Sequence, residues 1–117
     1  TVINPIITSL WQRDCRDAAT IQIANYNIVD KKQGAWHHDE SADISVVVPL
    51  NTGSYKGGGT EFHNHGTLKP LPNGHALMFP SFTNLHRGLP VSGGDRYLLV
   101  FWLYDKSRVV ELYEGTD

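Results

Sequence analysis

Apolar and polar positions along this chain alternate as they do in short β-strands. β-Branched residues crowd Thr20 to Val29 and Asp43 to Leu50, and Gly and Pro clusters set apart shorter runs at Thr60 to His65, His75 to Phe79 and Arg96 to Tyr104. Asn51 to Gly59, Pro70 to Gly74 and Ser92 to Asp95 have the composition of turns. Only Pro5 to Ala19 reads as helical: Pro5 suits a first turn, and Ile6, Ile7, Leu10 and Trp11 fall at helical spacing. Many short antiparallel strands behind one N-terminal helix predict a mainly β fold, a double-sheet jelly roll, over a parallel α/β sheet. No repeat or low-complexity tract interrupts the chain, so residues 1–117 are expected to form one domain.

Composition narrows the range of partners. At 117 residues the chain can bury well over half of the surface its unfolded form exposes. Ten Lys and Arg against 12 Asp and Glu give a formal charge of -2 without a basic run, so nucleic acid is not an expected partner. The longest strongly apolar stretch, Leu98 to Tyr104, is far shorter than the ~20 residues of a membrane helix. A soluble protein is expected, with the cytoplasm as the favoured compartment. Cys15 is the only cysteine, which excludes an internal disulfide and a cysteine-based zinc site, and it is expected to be a small buried side chain. The absence of an initiating Met fits processing or N-terminal truncation, and an oligomer or a missing segment could then support the barrel.

The chemistry concentrates in the histidines. In extended chain His37 and Asp39 share a face while His38 points away. With His86 far downstream they supply two imidazoles and one carboxylate, a set that on one face of a metal leaves the other positions open, as in non-heme Fe(II) sites. Arg96, at the start of an apolar strand, suits an organic acid bound beside the metal. Glu61, His63 and His65 alternate on another expected strand and form a rival, cupin-like set; Lys69 stands where a cupin carries glutamate, and an exposed polar face explains these residues more simply. His75 reads as a surface residue after the Asn73-Gly74 turn. Gly57-Gly58-Gly59 lacks a following Gly-Lys-Ser/Thr and reads as a close backbone approach rather than a phosphate loop. The glycine-rich loop Asn51 to Gly59 carries Tyr55 and Lys56, and reads either as a segment that moves over a bound substrate or as a plain hairpin connection.

An ordered series of motifs extends this reading. Tyr26, His37-His38-Asp39-x-Ser41, Leu50-Asn51, Tyr55-x-Gly57-Gly58-Gly59, Leu77-Met78-x-Pro80, His86-x-Gly88-Leu89-Pro90 and Gly94-x-Arg96-Tyr97 follow one another between Ile23 and Asp105. In that order they resemble the 2-oxoglutarate- and Fe(II)-dependent oxygenases of the prolyl and lysyl hydroxylase branch, most of all the procollagen-lysine hydroxylase catalytic domain. The resemblance implies Fe(II) on His37, Asp39 and His86, with 2-oxoglutarate and O2 in the open positions and ascorbate as an accessory reductant. It also implies that Arg96 holds the remote carboxylate of 2-oxoglutarate, that Tyr26 reaches the same pocket and that Trp102 forms its wall. The implied activity is hydroxylation of a C–H bond in a peptide or protein substrate, on a prolyl or lysyl residue, with release of succinate and CO2. Leu98 stands where many relatives carry a serine or threonine that helps to bind the carboxylate, which leaves Tyr26 to supply a hydroxyl. A jelly-roll module that binds without turnover, or a cupin-type protein using His63 and His65, is the alternative.

Overall fold

The computed structural model describes residues 3–15, 17–28, 35–39 and 42–105; Arg16, Val29 and Ser41 of the segments above lie outside them. One helix, α1 (Ile3–Trp11), precedes nine strands: β1 (Asp17–Tyr26), β2 (Ile44–Pro49), β3 (Lys56–Gly57), β4 (Thr60–Phe62), β5 (Gly66–Leu68), β6 (Leu77–Phe79), β7 (His86–Gly88), β8 (Val91–Gly93) and β9 (Arg96–Tyr104). The larger sheet has the order β1-β9-β2-β6 and the facing one β5-β4-β7, and β3 and β8, distant in sequence, pair as a third, two-stranded sheet. A bridge between His37 and His86 adds the His37 segment to the free side of β7. The chain therefore passes from sheet to sheet as it is followed from β1 to β9, the winding of a jelly roll.

The helix stops at Trp11, earlier than the expected Ala19. Gln12 takes a left-handed φ of 56°, and the Thr8 hydroxyl donates to the Arg13 carbonyl. The Asn4 side chain then donates to Asp14 and accepts from the Cys15 amide, reversing the chain so that β1 begins at Asp17. Thr60 to His65 is likewise shorter than expected, because Asn64 at φ 65° turns the chain into β5.

Register divides the larger sheet into two faces. Ile44, Val46 and Val48 of β2 lie opposite Leu103, Phe101 and Leu99 of β9, and this face packs against Ile3, Ile7 and Trp11 of α1. Ile7, Ile44 and Val46 are fully buried there, and each such aliphatic side chain contributes about 1.5–3 kcal/mol. The alternate residues, Ser45 and Val47 of β2, Phe79 of β6, and Arg96, Leu98, Val100 and Trp102 of β9, point into the space between the sheets. One strand pair thus serves the core with one face and the cavity with the other.

Candidate active site

His37 and His86 form a hydrogen-bonded antiparallel pair: each amide donates to the carbonyl of the other, at 2.9 and 3.0 Å. Residues paired in this way point to the same side, and the two rings lie 4.3 Å apart between centroids. Asp39, two residues further on, returns to that side. Its Oδ1 is 3.4 Å from His37 Nε2 and 3.5 Å from His86 Nε2, and one ligand atom from each of the three residues lies within 4.8 Å of the others. Among the described residues no other group of three histidine, cysteine or acidic side chains converges in this way.

The neighbours of the triad orient it. Nδ1 of His37 donates to the Ala35 carbonyl and Nδ1 of His86 to the Asn84 carbonyl, at 2.9 and 2.8 Å, since a carbonyl can only accept. With Nδ1 so engaged, each ring turns Nε2 to the centre and offers its lone pair there once that nitrogen carries no proton. Ser45 donates to Asp39 Oδ2 and, its proton so committed, accepts from the Ser81 hydroxyl at 2.7 Å. Burial raises the Asp39 pKa, but the bonds from His86 and Ser45 and the nearby imidazoles outweigh it and hold the carboxyl below its ordinary range. Burial pulls His86 down, and its bonds to Asp39 and the Asn84 carbonyl reverse this, so its pKa lies above the ordinary value.

These donors fit Fe(II). Two neutral imidazole nitrogens and an ionised carboxylate are the hard-to-borderline ligands of such an ion, and cis ligands at about 2.1 Å from a metal stand about 3 Å apart. The two Asp39–histidine separations, 3.4 and 3.5 Å, lie close to that value, and all three ligand atoms fall within 4.8 Å of one another.

Arg96 lines the same cavity as the triad and is only 7% exposed. Its Nη1 donates to the Gly59 carbonyl at 3.3 Å, its buried Nε has no partner, and no acidic side chain among the described residues pairs with it. A buried cation without a counter-ion is costly, so the cavity is built to take an anion. Tyr26 lies directly opposite Arg96 in the β1–β9 register and also lines the cavity, as does Trp102.

Comparison with known proteins agrees with this geometry. Residues 21–104 match the family model of the 2OG-Fe(II) oxygenase superfamily. The chain belongs to that superfamily. It is 37% identical over 71 residues to the multifunctional procollagen lysine hydroxylase and glycosyltransferase of Caenorhabditis elegans, a match covering 57% of this chain and 10% of the relative. It is 29% identical over 105 residues to the human multifunctional procollagen lysine hydroxylase and glycosyltransferase LH3, covering 86% of this chain and 14% of that protein. With human procollagen-lysine,2-oxoglutarate 5-dioxygenase 2 the identity is 36% over 70 residues, 57% of this chain and 10% of the relative. The chain thus matches only about a tenth to a seventh of the length of these curated relatives.

Within this oxygenase fold the other histidines fall outside the site. His38 and His75 are exposed, and the turn at Asn64 breaks the alternation that would have aligned Glu61, His63 and His65. Glu61 pairs with Arg87 instead, and His63 packs edge-on against Trp36. The Asn51 to Gly59 loop is anchored at its first residue. The Asn51 side chain bridges the Asp95 carbonyl and the Tyr97 amide, and Tyr55 turns inward, with its hydroxyl buried and its ring 5.9 Å from the Arg96 guanidinium. The loop is tied to the β8–β9 turn, and Tyr55 faces Arg96. A Cβ on Gly58, at φ +79°, would come within 3.2 Å of Arg96 Cδ, so this glycine clears the path of the arginine.

Sequence reasoning passed over Ser45, Ser81, Gln22 and Thr60, the last two of which line the cavity. Ser45 carried a signal, because a lone hydroxyl in the run Ile44-Ser45-Val46-Val47-Val48 must find a partner when buried. No such signal marks Gln22 or Thr60.

Proposed function

We propose that this chain is the catalytic domain of an Fe(II)- and 2-oxoglutarate-dependent hydroxylase acting on a prolyl or lysyl residue of a peptide or protein. The observation that carries the reading is the shared cavity: a two-histidine, one-carboxylate face and an unpaired buried arginine line the same space. His37, Asp39 and His86 would hold the iron, and Arg96 the remote carboxylate of 2-oxoglutarate. Bound there with O2, this pair supplies the oxidising power for C–H hydroxylation, with succinate and CO2 as products, and ascorbate would keep the iron reduced.

The chain's own residues bind, orient and exclude water. Arg96 offers a planar fork to a carboxylate, and Tyr26 offers the hydroxyl that Leu98 cannot. Trp102 contributes the wall, and Phe79 and Phe62 pack around His86 at 4.8 and 6.2 Å between ring centroids, shielding that side of the centre. His37, with half its side chain exposed, marks the side open to a large substrate. The peptidyl substrate is argued from the relatives, whose names describe hydroxylation of procollagen lysine. No helix among the described residues is long and apolar enough to cross a membrane, and a soluble cytoplasmic domain is the setting we favour.

Release of labelled CO2 from 2-oxoglutarate, with Fe(II) and ascorbate, tests the proposal. Release should rise when peptides containing lysine or proline are added, with a matching mass gain of one oxygen on the peptide. Release that no peptide stimulates would contradict the substrate class, and no release at all would contradict the activity.

A further inference from the structure

A second row of residues stands behind the triad on the outer face of the same strands. Pairing sets Phe62 beside His86 and His86 beside His37 on the inner face. The same register sets Glu61 opposite Arg87 and brings Trp36, the residue before His37, across from Arg87. Side chains alternate along a strand, so Glu61, Arg87 and Trp36 back directly onto Phe62, His86 and His37. The outer row is connected throughout. Arg87 Nε and Nη2 lie 2.7 and 2.6 Å from Glu61 Oε1, and the guanidinium carbon lies 4.4 Å from the centre of the Trp36 ring.

Among the described residues the His37 segment is held at its far end, where the Asp39 amide donates to the Ser81 carbonyl and Ser45 donates to Asp39 Oδ2. It meets β7 through a one-residue bridge, whereas β4 pairs with β7 over three residues. A one-residue bridge lets a strand pivot, and a pivot would carry His37 Nε2 away from Asp39 and His86. The inner face gives little restraint, because half of the His37 side chain is exposed. Trp36 stacked on an arginine that is anchored to β4 is a further point of attachment, on the opposite face.

We infer that Trp36, Arg87 and Glu61 act together as positioning residues for the metal centre, an outer clamp that holds His37 in register with His86. The inference rests on the reading of His37, Asp39 and His86 as metal ligands. None of the three clamp residues lines the cavity, so they act through the ligands alone.

Anaerobic titration with Co(II), read from its visible absorption, tests the clamp without turnover. Trp36→Ala and Arg87→Ala should each weaken Co(II) about tenfold, the low end of what orienting groups around a metal contribute. The double variant should be no weaker than either single one within about twofold, because residues acting as one unit are not additive. Trp36→Phe keeps a ring over Arg87 and should restore most of the affinity. Should Trp36→Ala fail to fold, Trp36→Leu against Trp36→Phe gives the same comparison. Wild-type affinity in both single variants, or losses that multiply in the double one, would overturn the clamp. A wild-type protein that binds no Co(II), or binding that Asp39→Ala leaves unchanged, would instead overturn the metal-site reading.

Discussion

Ser45 donates a hydrogen bond to Asp39 Oδ2 at 2.5 Å from within an otherwise aliphatic strand. This bond fixes the one carboxylate of the triad and leaves its other oxygen facing the two histidines. Ser45→Ala should remove a bond to a charged group, worth roughly 1.5–3 kcal/mol, and weaken metal binding by about tenfold or more. Thermal melting of the metal-free protein and a Co(II) titration check both effects, and an unchanged affinity would show that Ser45 only fills space.

Arg96 passes between Gly58 and the Tyr55 ring on its way to the cavity. Arg96→Ala should weaken 2-oxoglutarate by at least about tenfold with far less effect on Fe(II), as expected for loss of a charge-assisted bond. Gly58→Ala should weaken 2-oxoglutarate too, because its Cβ crowds the arginine and its φ of +79° strains any L side chain. Calorimetric titration measures both. Undiminished 2-oxoglutarate binding by Arg96→Ala would remove the arginine from the cosubstrate site.

The parts of this architecture that were legible in the sequence are those set by local rules. Strand alternation put His37 and Asp39 on one side, and the apolar run after Arg96 argued that this cation is buried; the structure brings these residues and His86 around one cavity. What was not legible depends on partners distant in sequence. The end of α1 is set by Asn4 reaching Asp14 and Cys15, and the inward turn of Tyr55 by an arginine on another strand. The short strands β5, β7 and β8 are defined by their neighbours more than by their own three residues each. Glu61 and His63 read as an exposed polar face, with a ligand set as the rival, and their actual partners, Arg87 and Trp36, come from other parts of the chain.

Metal binding should weaken as the pH falls. A metal must displace the proton that His86 shares with Asp39, and the raised His86 pKa places that competition above the ordinary value of 6.5. Co(II) affinity should therefore drop by up to about tenfold per pH unit between about pH 8 and about pH 6. Without metal the sign reverses for His86: its raised pKa gives stability that is complete below 6.5 and is lost as the pH rises through the folded value. Asp39, with its pKa held down, gives stability present above 3.8 and lost as the pH falls below it. The gain in melting temperature on adding Co(II) should thus grow from about pH 6 to about pH 8, and a gain that shrinks over this range would contradict the scheme.

Cys15 is buried under α1, and burial, with Asp43 and Asp105 adding to it, pushes its pKa up to about 12. The native thiol should resist iodoacetamide at about pH 8, where an ordinary cysteine reacts. Because the unfolded thiol ionises first, its contribution to stability should be lost as the pH rises above 9. Mass spectrometry of the alkylated protein is the check, and rapid labelling under native conditions would contradict the burial.

The most direct test of the central claim is the visible spectrum of the protein with Fe(II) and 2-oxoglutarate under anaerobic conditions. If His37, Asp39 and His86 hold iron beside a 2-oxoglutarate bound through Arg96, a weak charge-transfer band should form that Asp39→Ala abolishes and His63→Ala leaves intact. A band that survives Asp39→Ala, or that disappears with His63→Ala, would contradict the account.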